Sequence, residues 1–389
     1  MNEGTLLVFL GMTAVAALLA LGTVLFRKGR TEDEARAYLA GVHYVLSDDP
    51  DAAIAELSKA ARLNTQTYET YFALAALFRR KGELAWAIRL SQNILLKPGL
   101  NLDVRRRAQL ELALDYRRSG LKDQSVEAFE KLLLEEPGHA EALLRYRQTL
   151  EETRDLPRAI ELQEKLIALQ GSGEDVLAHL LAERVQDVLS TCPEAARALA
   201  ERAVALAPGS AHAQLALAQV RLELADDAGE KALAAEPLQR AITLEPELAA
   251  LNLPLLTEAL GSSEAVEAWL LKAKQDRAEG MPFDFAVALC HRDRPDARRA
   301  IEMLRAIVAQ HPDSHEARRE LGALLLQTDQ SDELRRDYID ILGTLGRPAL
   351  AFGCSACGQK LSQHAFRCTF CGAWDTVRRE LPAVAVTLT

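Results

Sequence analysis

The fold is decided by the stretch from Tyr71 to Pro98, which reads YFALAALFRRKGELAWAIRLSQNILLKP. Apolar residues recur at helical spacing on both sides of Gly82, which is the pattern of two amphipathic helices joined by a tight turn. Ala75 and Ala87 are small residues at the positions where two antiparallel helices would cross closely. The stretch therefore predicts a helical hairpin.

The same pattern returns along most of the chain at intervals of about 34 to 38 residues. Further copies end at Pro137, Pro208, Pro246 and Pro312. Pro137 and Pro208 are about two intervals apart, with a copy from Leu143 to Leu166 between them, and Pro246 and Pro312 are also about two intervals apart. This is the period of tetratricopeptide repeats, and it predicts about eight or nine units stacked into an all-α solenoid over residues 31–345. An ordinary bundle of amphipathic helices is the alternative, but glycine, alanine and proline recur together with the apolar positions.

One interruption of the repeats and one candidate surface can be predicted. The stretch from Leu222 to Leu260 is the least regular, so we expect a kink or a change of register there. The first helix of each unit should line an inner groove that binds a partner protein. Candidate groove residues, each of which could equally be an ordinary solvated or packing side chain, are Arg79, Arg107, Leu114, Arg117 and Gln148.

Cysteines mark a separate element near the C-terminus, in the turns Cys354-Ser-Ala-Cys357-Gly and Cys368-Thr-Phe-Cys371-Gly. Each turn can place two thiolates about 2.3 Å from a shared metal ion, and the following glycine lets the chain fold back. We predict a closed structural site in which these four cysteines bind one zinc ion per chain. Iron fits the same ligands, and two unrelated dithiols are the alternative. We call residues 346–389 the four-cysteine module.

The N-terminal segment has the composition of a membrane anchor. Residues 6–26 carry no charge and are followed at once by Arg27, Lys28 and Arg30. A helix of this length would span about 31 Å, close to the thickness of the hydrocarbon core of a bilayer. A cleaved signal peptide would have its basic residues before the apolar run. We therefore predict an anchor within residues 1–30 and a cytoplasmic location for the chain that follows it.

Composition limits the function. The 389 residues carry a formal net charge of −10, so we expect no binding to nucleic acid, which favours a basic surface. The sequence has no phosphate-binding loop, dinucleotide fingerprint, HExxH motif or nucleophile elbow, and we expect no catalytic residues and no enzyme activity. Asp226 and Asp227 precede a helix and suit helix capping. Cys192 and Cys290 stand alone and are expected to be buried.

The whole chain resembles the lipopolysaccharide assembly protein B family. Near the C-terminus the similar residues are Phe366-x-Cys368-x2-Cys371-x-Ala373-Trp374-x-Thr376. In the first two repeats they are Tyr38-x2-Gly41-Val42-x3-Leu46 and Leu77-Phe78-Arg79-x2-Gly82-Glu83. The resemblance implies a single-pass protein of the bacterial inner membrane, with cytoplasmic tetratricopeptide repeats and a rubredoxin-like zinc ribbon. It also implies that the four cysteines of the module are the metal ligands.

The resemblance further implies a regulator. Members of this family work with the membrane protease FtsH to degrade the deacetylase of the lipid A pathway, and they contact an inner-membrane protein that senses lipopolysaccharide. The expected function is therefore a membrane-tethered protease adaptor. The alternative is a general interaction scaffold for envelope or lipopolysaccharide assembly complexes without a proteolytic role. A monomer and a homo-oligomer are both compatible with the sequence.

Overall fold

The computed structural model describes residues 32–47, 49–63, 68–275, 280–292, 294, 297–312, 314–328, 352–361 and 363–379. The chain divides into two compact units, one ending at Leu169 and the other beginning at Gln170. The predicted anchor at residues 6–26, and the predicted boundaries near residues 30 and 345, lie outside the described residues. Within the part that the structure describes, no helix is both long and apolar enough to cross a membrane.

The first unit is built from consecutive helices that pack against their neighbours in the chain. They are α1 (32–46), α2 (Pro50–Leu63), α3 (Tyr68–Arg80), α4 (Leu84–Leu95), α5 (Leu102–Arg118), α6 (Lys122–Glu135), α7 (Ala140–Glu152) and α8 (Leu156–Gln170). The hairpin predicted from Tyr71 to Pro98 corresponds to α3 and α4.

Tight turns between paired helices rely on the left-handed backbone conformation. Gly82 joins α3 to α4 with φ +78°, and Gly120 joins α5 to α6 with φ +76°. Glycine adopts this conformation without a Cβ penalty. The equivalent residue between α7 and α8 is Arg154, which adopts φ +59° although it has a side chain.

Small residues allow the paired helices to approach closely. Ala75 of α3 and Ala87 of α4 are completely buried, as predicted. In the next pair Ala113 and Ser125 take these places, and the Ser125 Oγ donates a hydrogen bond to the Ala113 carbonyl oxygen at 2.8 Å. A serine is therefore tolerated at this buried position because the facing carbonyl oxygen accepts a hydrogen bond from its hydroxyl group.

The second unit is also built mainly from helices. Its helices are α9 (Glu174–Val188), α10 (Pro193–Leu206), α11 (Ala211–Glu223), α12 (Ala228–Ala232), α13 (Ala235–Leu244), α14 (Leu248–Leu251), α15 (Leu253–Leu260), α16 (Ser263–Gln275), α17 (Met281–Arg292), α18 (Arg298–Gln310) and α19 (His315–Gln327). The predicted irregularity is confirmed, because four short helices, α12 to α15, occupy most of the stretch from Leu222 to Leu260.

Two local predictions in this unit can be compared with the structure. Asp227 caps α12, since its Oδ1 accepts a hydrogen bond from the Glu230 N–H at 2.8 Å. Cys290 is buried in a hydrophobic core cluster as predicted. The prediction for Cys192 was wrong: this residue is exposed, because it lies at the N-cap of α10, outside the helical face that packs inward.

The described part of the four-cysteine module forms a small antiparallel sheet. Its strands are β1 (Phe352–Cys354), β2 (Lys360–Leu361) and β3 (Val377–Arg379), in the order β2-β1-β3. Phe352 pairs with Leu361 on one side and with Arg379 on the other. A cluster around Phe352, Cys354, Leu361, Cys368 and Val377 forms the core of the module, which is too small to be stable on packing alone.

Candidate metal centre and its docking surface

The four cysteines are placed by two matched turns. Cys354 ends β1, and the Gly358 N–H closes its turn on the Cys354 carbonyl oxygen at 2.8 Å. In the second turn the Gly372 N–H donates to the Cys368 carbonyl oxygen at 2.9 Å. Both glycines have φ +73°, which explains why a glycine follows the second cysteine of each pair.

The sulfur atoms are spaced as ligands of a single metal ion. All four lie within 4.8 Å of one another. The Sγ atoms of Cys354 and Cys371 are 3.7 Å apart, and those of Cys357 and Cys368 are 3.9 Å apart. A tetrahedral site with metal–sulfur bonds of about 2.3 Å has sulfur–sulfur distances of about 3.8 Å. The spacing therefore fits a tetrahedral ion, whereas a disulfide would require about 2.05 Å.

The thiols have unequal acidities. The Thr376 hydroxyl lies 3.1 Å from the Cys354 Sγ, and its hydrogen bond lowers the pKa of that thiol to about 6. Desolvation and the neighbouring sulfurs raise the pKa of Cys371 to about 12. Because like charges would meet at contact distance, ligation by four thiolates needs the charge of a bound cation.

The four-cysteine module docks on α9 and α11 through stacked rings. Trp374 stacks on His179 of α9, with ring centroids 4.8 Å apart and planes at 8°. Phe366 stacks on His212 of α11, with centroids 4.3 Å apart and planes at 5°. These two aromatic residues flank the second cysteine turn, so the segment that would hold the metal is also the segment that contacts the helices.

Polar contacts surround these stacked rings. The His179 Nε2 lies 2.7 Å from the Asp375 Oδ2, and its Nδ1 lies 3.2 Å from the His212 Nδ1. At a second point His364 of the module pairs with Glu245, which follows α13, at 3.0 Å. Docking thus combines ring stacking with polar contacts of histidine with carboxylate groups.

The roles of these histidines were not predicted from the sequence. His179 and His212 are 33 residues apart, about one repeat period, and therefore occupy corresponding positions on successive first helices. This spacing was the feature of the sequence from which a contact between the two histidines could have been predicted. Each histidine alone gives no indication of its partner, because Asp375 is 196 residues away from His179 in the sequence.

The predicted groove residues lie on the first helices of the first unit, and their arginines form contacts one repeat apart. Arg79 of α3 lies 2.7 Å from Glu111 and 3.0 Å from Asp115, both on α5. Arg107 of α5 donates to both carboxylate oxygens of Glu69 on α3, each at 3.0 Å. The arginines therefore join neighbouring repeats.

The next repeat has an equivalent contact. Arg117 of α5 pairs with Glu152 of α7 at 2.5 Å and donates to the Gln148 Oε1 at 3.1 Å. Arg117 and Gln148, both predicted for the groove, are thus brought together, while Leu114 is half-buried on the same helix. Binding of a partner by these five residues stays a prediction.

Comparison with known proteins agrees with this architecture. A family model described as tetratricopeptide repeat matches residues 110–174 and 290–337. Together with the helix pairs and the clustered cysteines, this match defines the class: the chain is a helical repeat protein, with two stretches that match tetratricopeptide repeats and a C-terminal module that can hold a metal ion.

The chain is also similar to particular proteins. Lipopolysaccharide assembly protein B of Escherichia coli K12 is 27% identical over 362 residues, covering 89% of this chain and 91% of the relative. The Haemophilus influenzae protein of the same name is 27% identical over 62% of this chain and 63% of the relative. The C-terminal part of a repeat-containing protein from Cytophaga hutchinsonii has a TM-score of 0.43 and 13% identity, covering 73% of this chain and 99% of that structure. The resemblance predicted from the sequence is therefore confirmed along most of the chain.

Proposed function

We propose that this protein is a membrane-tethered cytoplasmic adaptor that regulates lipopolysaccharide biosynthesis. The observation that carries the proposal is the similarity to lipopolysaccharide assembly protein B, which extends over 89% of this chain and 91% of the Escherichia coli relative. Similarity of this extent spans most of this chain and most of the relative, so it supports a shared overall architecture. A role in lipopolysaccharide assembly follows from the relative's name.

The repeats supply the binding surface of the adaptor. Their first helices carry arginine, leucine and glutamine side chains that a partner protein can contact, and the proposed set is Arg79, Arg107, Leu114, Arg117 and Gln148. Successive repeats stack on each other, and the ion pairs between α3, α5 and α7 support this stacking, which holds the surface in one arrangement. A protein of this kind acts by bringing other proteins together and needs no catalytic residue of its own.

The four-cysteine module serves a structural role in this proposal. Cys354, Cys357, Cys368 and Cys371 would hold one zinc ion, and their sulfur spacing supports this assignment. Bound zinc supplies a cross-link between the two turns of a domain with a very small core. Four protein ligands leave no position for a substrate, so the site is proposed as structural and not catalytic.

The proposed partners are an FtsH-type membrane protease, the deacetylase of the lipid A pathway and an inner-membrane protein that senses lipopolysaccharide. Residues 6–26 would anchor the chain in the inner membrane, with the repeats on the cytoplasmic side. The anchor would keep the repeats close to the protease, which raises the effective concentration of a bound deacetylase there.

The proposal is tested by depleting the protein in its host. The half-life of the deacetylase, followed after translation is stopped, should lengthen, and its steady-state abundance should rise. Re-expression of the chain should restore both. Normal turnover of the deacetylase in depleted cells would refute the adaptor.

A second experiment separates the adaptor from a general scaffold for envelope assembly complexes. Membranes are solubilised, the tagged chain is captured, and the captured proteins are identified by mass spectrometry. Recovery of the protease together with the deacetylase supports the adaptor. Recovery of other lipopolysaccharide assembly proteins without the protease supports the scaffold.

A further inference from the structure

Two histidines meet at the centre of the surface on which the four-cysteine module docks. His179 is 1% exposed and His212 is 7% exposed, and their Nδ1 atoms are 3.2 Å apart. Each ring is also covered by an aromatic residue of the module, Trp374 on His179 and Phe366 on His212. Burial thus shields the pair from bulk water, and the two Nδ1 atoms must satisfy each other.

The partners of His179 determine where its proton lies. Asp375 faces the His179 Nε2 at 2.7 Å, and although burial acts in the opposite direction, the hydrogen bond from His179 lowers the pKa of Asp375. The carboxylate is then only an acceptor, so the His179 Nε2 donates. With both rings neutral, the His179 Nδ1 accepts a hydrogen bond from the Nδ1–H of His212.

The number of N–H donors that can face each other in this contact limits the charge of the pair. One additional proton is compatible with the contact, because a charged ring donates its Nδ1–H to the Nδ1 of the neutral ring. Two charged rings would place two N–H donors against each other with no acceptor between them. The docked module holds Trp374 and Phe366 against the two rings, so the rings cannot turn apart and the docked arrangement excludes the doubly protonated state.

We propose that His179 and His212 form an acid-sensitive latch, which holds the four-cysteine module on the repeats while at most one of the two rings is charged. In the released state both are ordinary histidines with pKa values near 6.5, so the released state binds more protons as the pH falls below about 6.5. Docking therefore weakens on acidification. The direction agrees with the effect of burial and of the neighbouring His179, which lower the pKa of His212 to about 3.

The other charged groups at this surface modify the latch. Asp375 places a negative charge 2.7 Å from the His179 Nε2 and acts against the lowering of the His212 pKa. Arg367 lies over the Trp374 ring at 5.8 Å, and the charge of Arg378 is offset by Glu245 at 3.7 Å.

His364 acts on docking in two directions. A charge on His364 would strengthen its contact with Glu245 and favour docking, but it would also oppose a proton on His212. A variant at this position leaves both rings of the pair in place and therefore serves as a control for the pair itself.

The test uses the full-length chain in detergent, labelled with 5-fluorotryptophan and observed by ¹⁹F NMR. The Trp374 resonance is assigned with the variant Trp374→Phe. Spectra are recorded from about pH 7.5 to about pH 5, a range centred on the ordinary pKa of histidine, and the metal content of the protein is measured at each pH. We expect the Trp374 resonance to move from the docked to a released position while the metal stays bound.

Two variants leave only one ring of the pair able to take up a proton, while they keep the hydrogen-bond donor of the replaced ring. In His212→Asn the amide nitrogen can replace the Nδ1–H donor, and in His179→Gln the amide nitrogen can replace the Nε2–H donor to Asp375. Neither amide titrates, so a variant that docks at neutral pH should stay docked at a proton concentration at least about tenfold higher than the wild type tolerates. His364→Gln, the control, keeps both rings of the pair and should still release the module on acidification.

Three results would overturn the proposal. The first is a Trp374 resonance that keeps its docked position down to about pH 5, well below the ordinary pKa of histidine. The second is release that occurs only together with loss of the metal. The third is an unchanged release pH in whichever of His212→Asn and His179→Gln docks at neutral pH. If neither variant docks at neutral pH, the wild type alone tests the proposal, through the pH at which its Trp374 resonance moves and the metal content of the protein at that pH.

Discussion

Arg79 of α3 and Asp115 of α5 form an ion pair across one repeat period, with the guanidinium Nη1 3.0 Å from the Asp115 Oδ2. Asp115 is completely buried. Burial raises the pKa of its carboxyl to about 6, although the charge of Arg79 acts in the opposite direction. This pair therefore joins neighbouring repeats at some cost in free energy of desolvation.

The raised pKa of Asp115 predicts a pH dependence of stability. In the unfolded chain an aspartate has a pKa near 3.9, so between about pH 4 and about pH 6 the folded unit holds a proton that the unfolded chain has released. Stability should fall as the pH rises through this window, by on the order of 1–3 kcal/mol. Asp115→Asn should remove this slope, as measured by hydrogen exchange of α3 and α5 at several pH values.

A control for this substitution lies on the same helix. Asp103 is an exposed carboxylate in the first turn of α5, and Asp103→Asn should leave the slope unchanged. An identical pH dependence in wild type and Asp115→Asn would show that the buried carboxyl does not titrate in this range.

Substitution of Trp374 should release the four-cysteine module from the helices. Trp374→Ala removes the ring that stacks on His179 and should weaken docking by on the order of 2–3 kcal/mol. Hydrogen exchange in α9 and α11 should then rise while the metal content stays the same. Phe370→Ala is the matched control, because Phe370 is an aromatic residue of the second cysteine turn, close to Trp374 in the sequence, and is 74% exposed. Equal effects of the two substitutions would argue against the docking role of Trp374.

Substitution of one metal ligand should release the metal and lower the stability of the second unit. Cys371→Ser replaces a thiolate of the four-sulfur cluster with a poor ligand, so the protein should lose its zinc and melt at a lower temperature. Cys192→Ser, at an exposed cysteine outside the cluster, should change neither quantity. The measurements are elemental analysis and differential scanning calorimetry. Retention of zinc with an unchanged melting profile in Cys371→Ser would contradict the assigned ligand set.

A Cβ added at the left-handed turn between α5 and α6 should lower the stability of the first unit. Gly120 has φ +76°, and no neighbouring atom lies within 4 Å of the position that an added methyl group would take, so Gly120→Ala meets backbone strain without a steric clash. It should lower the stability of the first unit by about 1 kcal/mol. Gly138 lies in the same unit without a positive φ, and an added Cβ there would contact only the Leu169 Cδ2, at 3.9 Å. Gly138→Ala should therefore be neutral or slightly stabilising, and thermal melting should separate the two variants.

The repeats and the cysteine cluster were predictable because their signals are local. Helix pairs depend on the spacing of apolar and small residues such as Ala75 and Ala87, and the metal ligands depend on two short turns with a fixed geometry. The prediction for Cys192 was wrong because it relied on a helical environment, whereas the residue lies at the helix terminus.

The sequence by itself therefore determined the class of fold, the position of the cysteine turns and the identity of their clustered thiols. Only the tertiary structure decided what these elements contact. Arg79 and Asp115 meet because one repeat stacks on the next, and His179 meets Asp375, 196 residues further along the chain, because the module docks on α9. Each of these side chains is compatible with an ordinary surface position in its own helix or turn. Their roles arise from burial and pairing, which depend on packing between segments that are distant in the sequence.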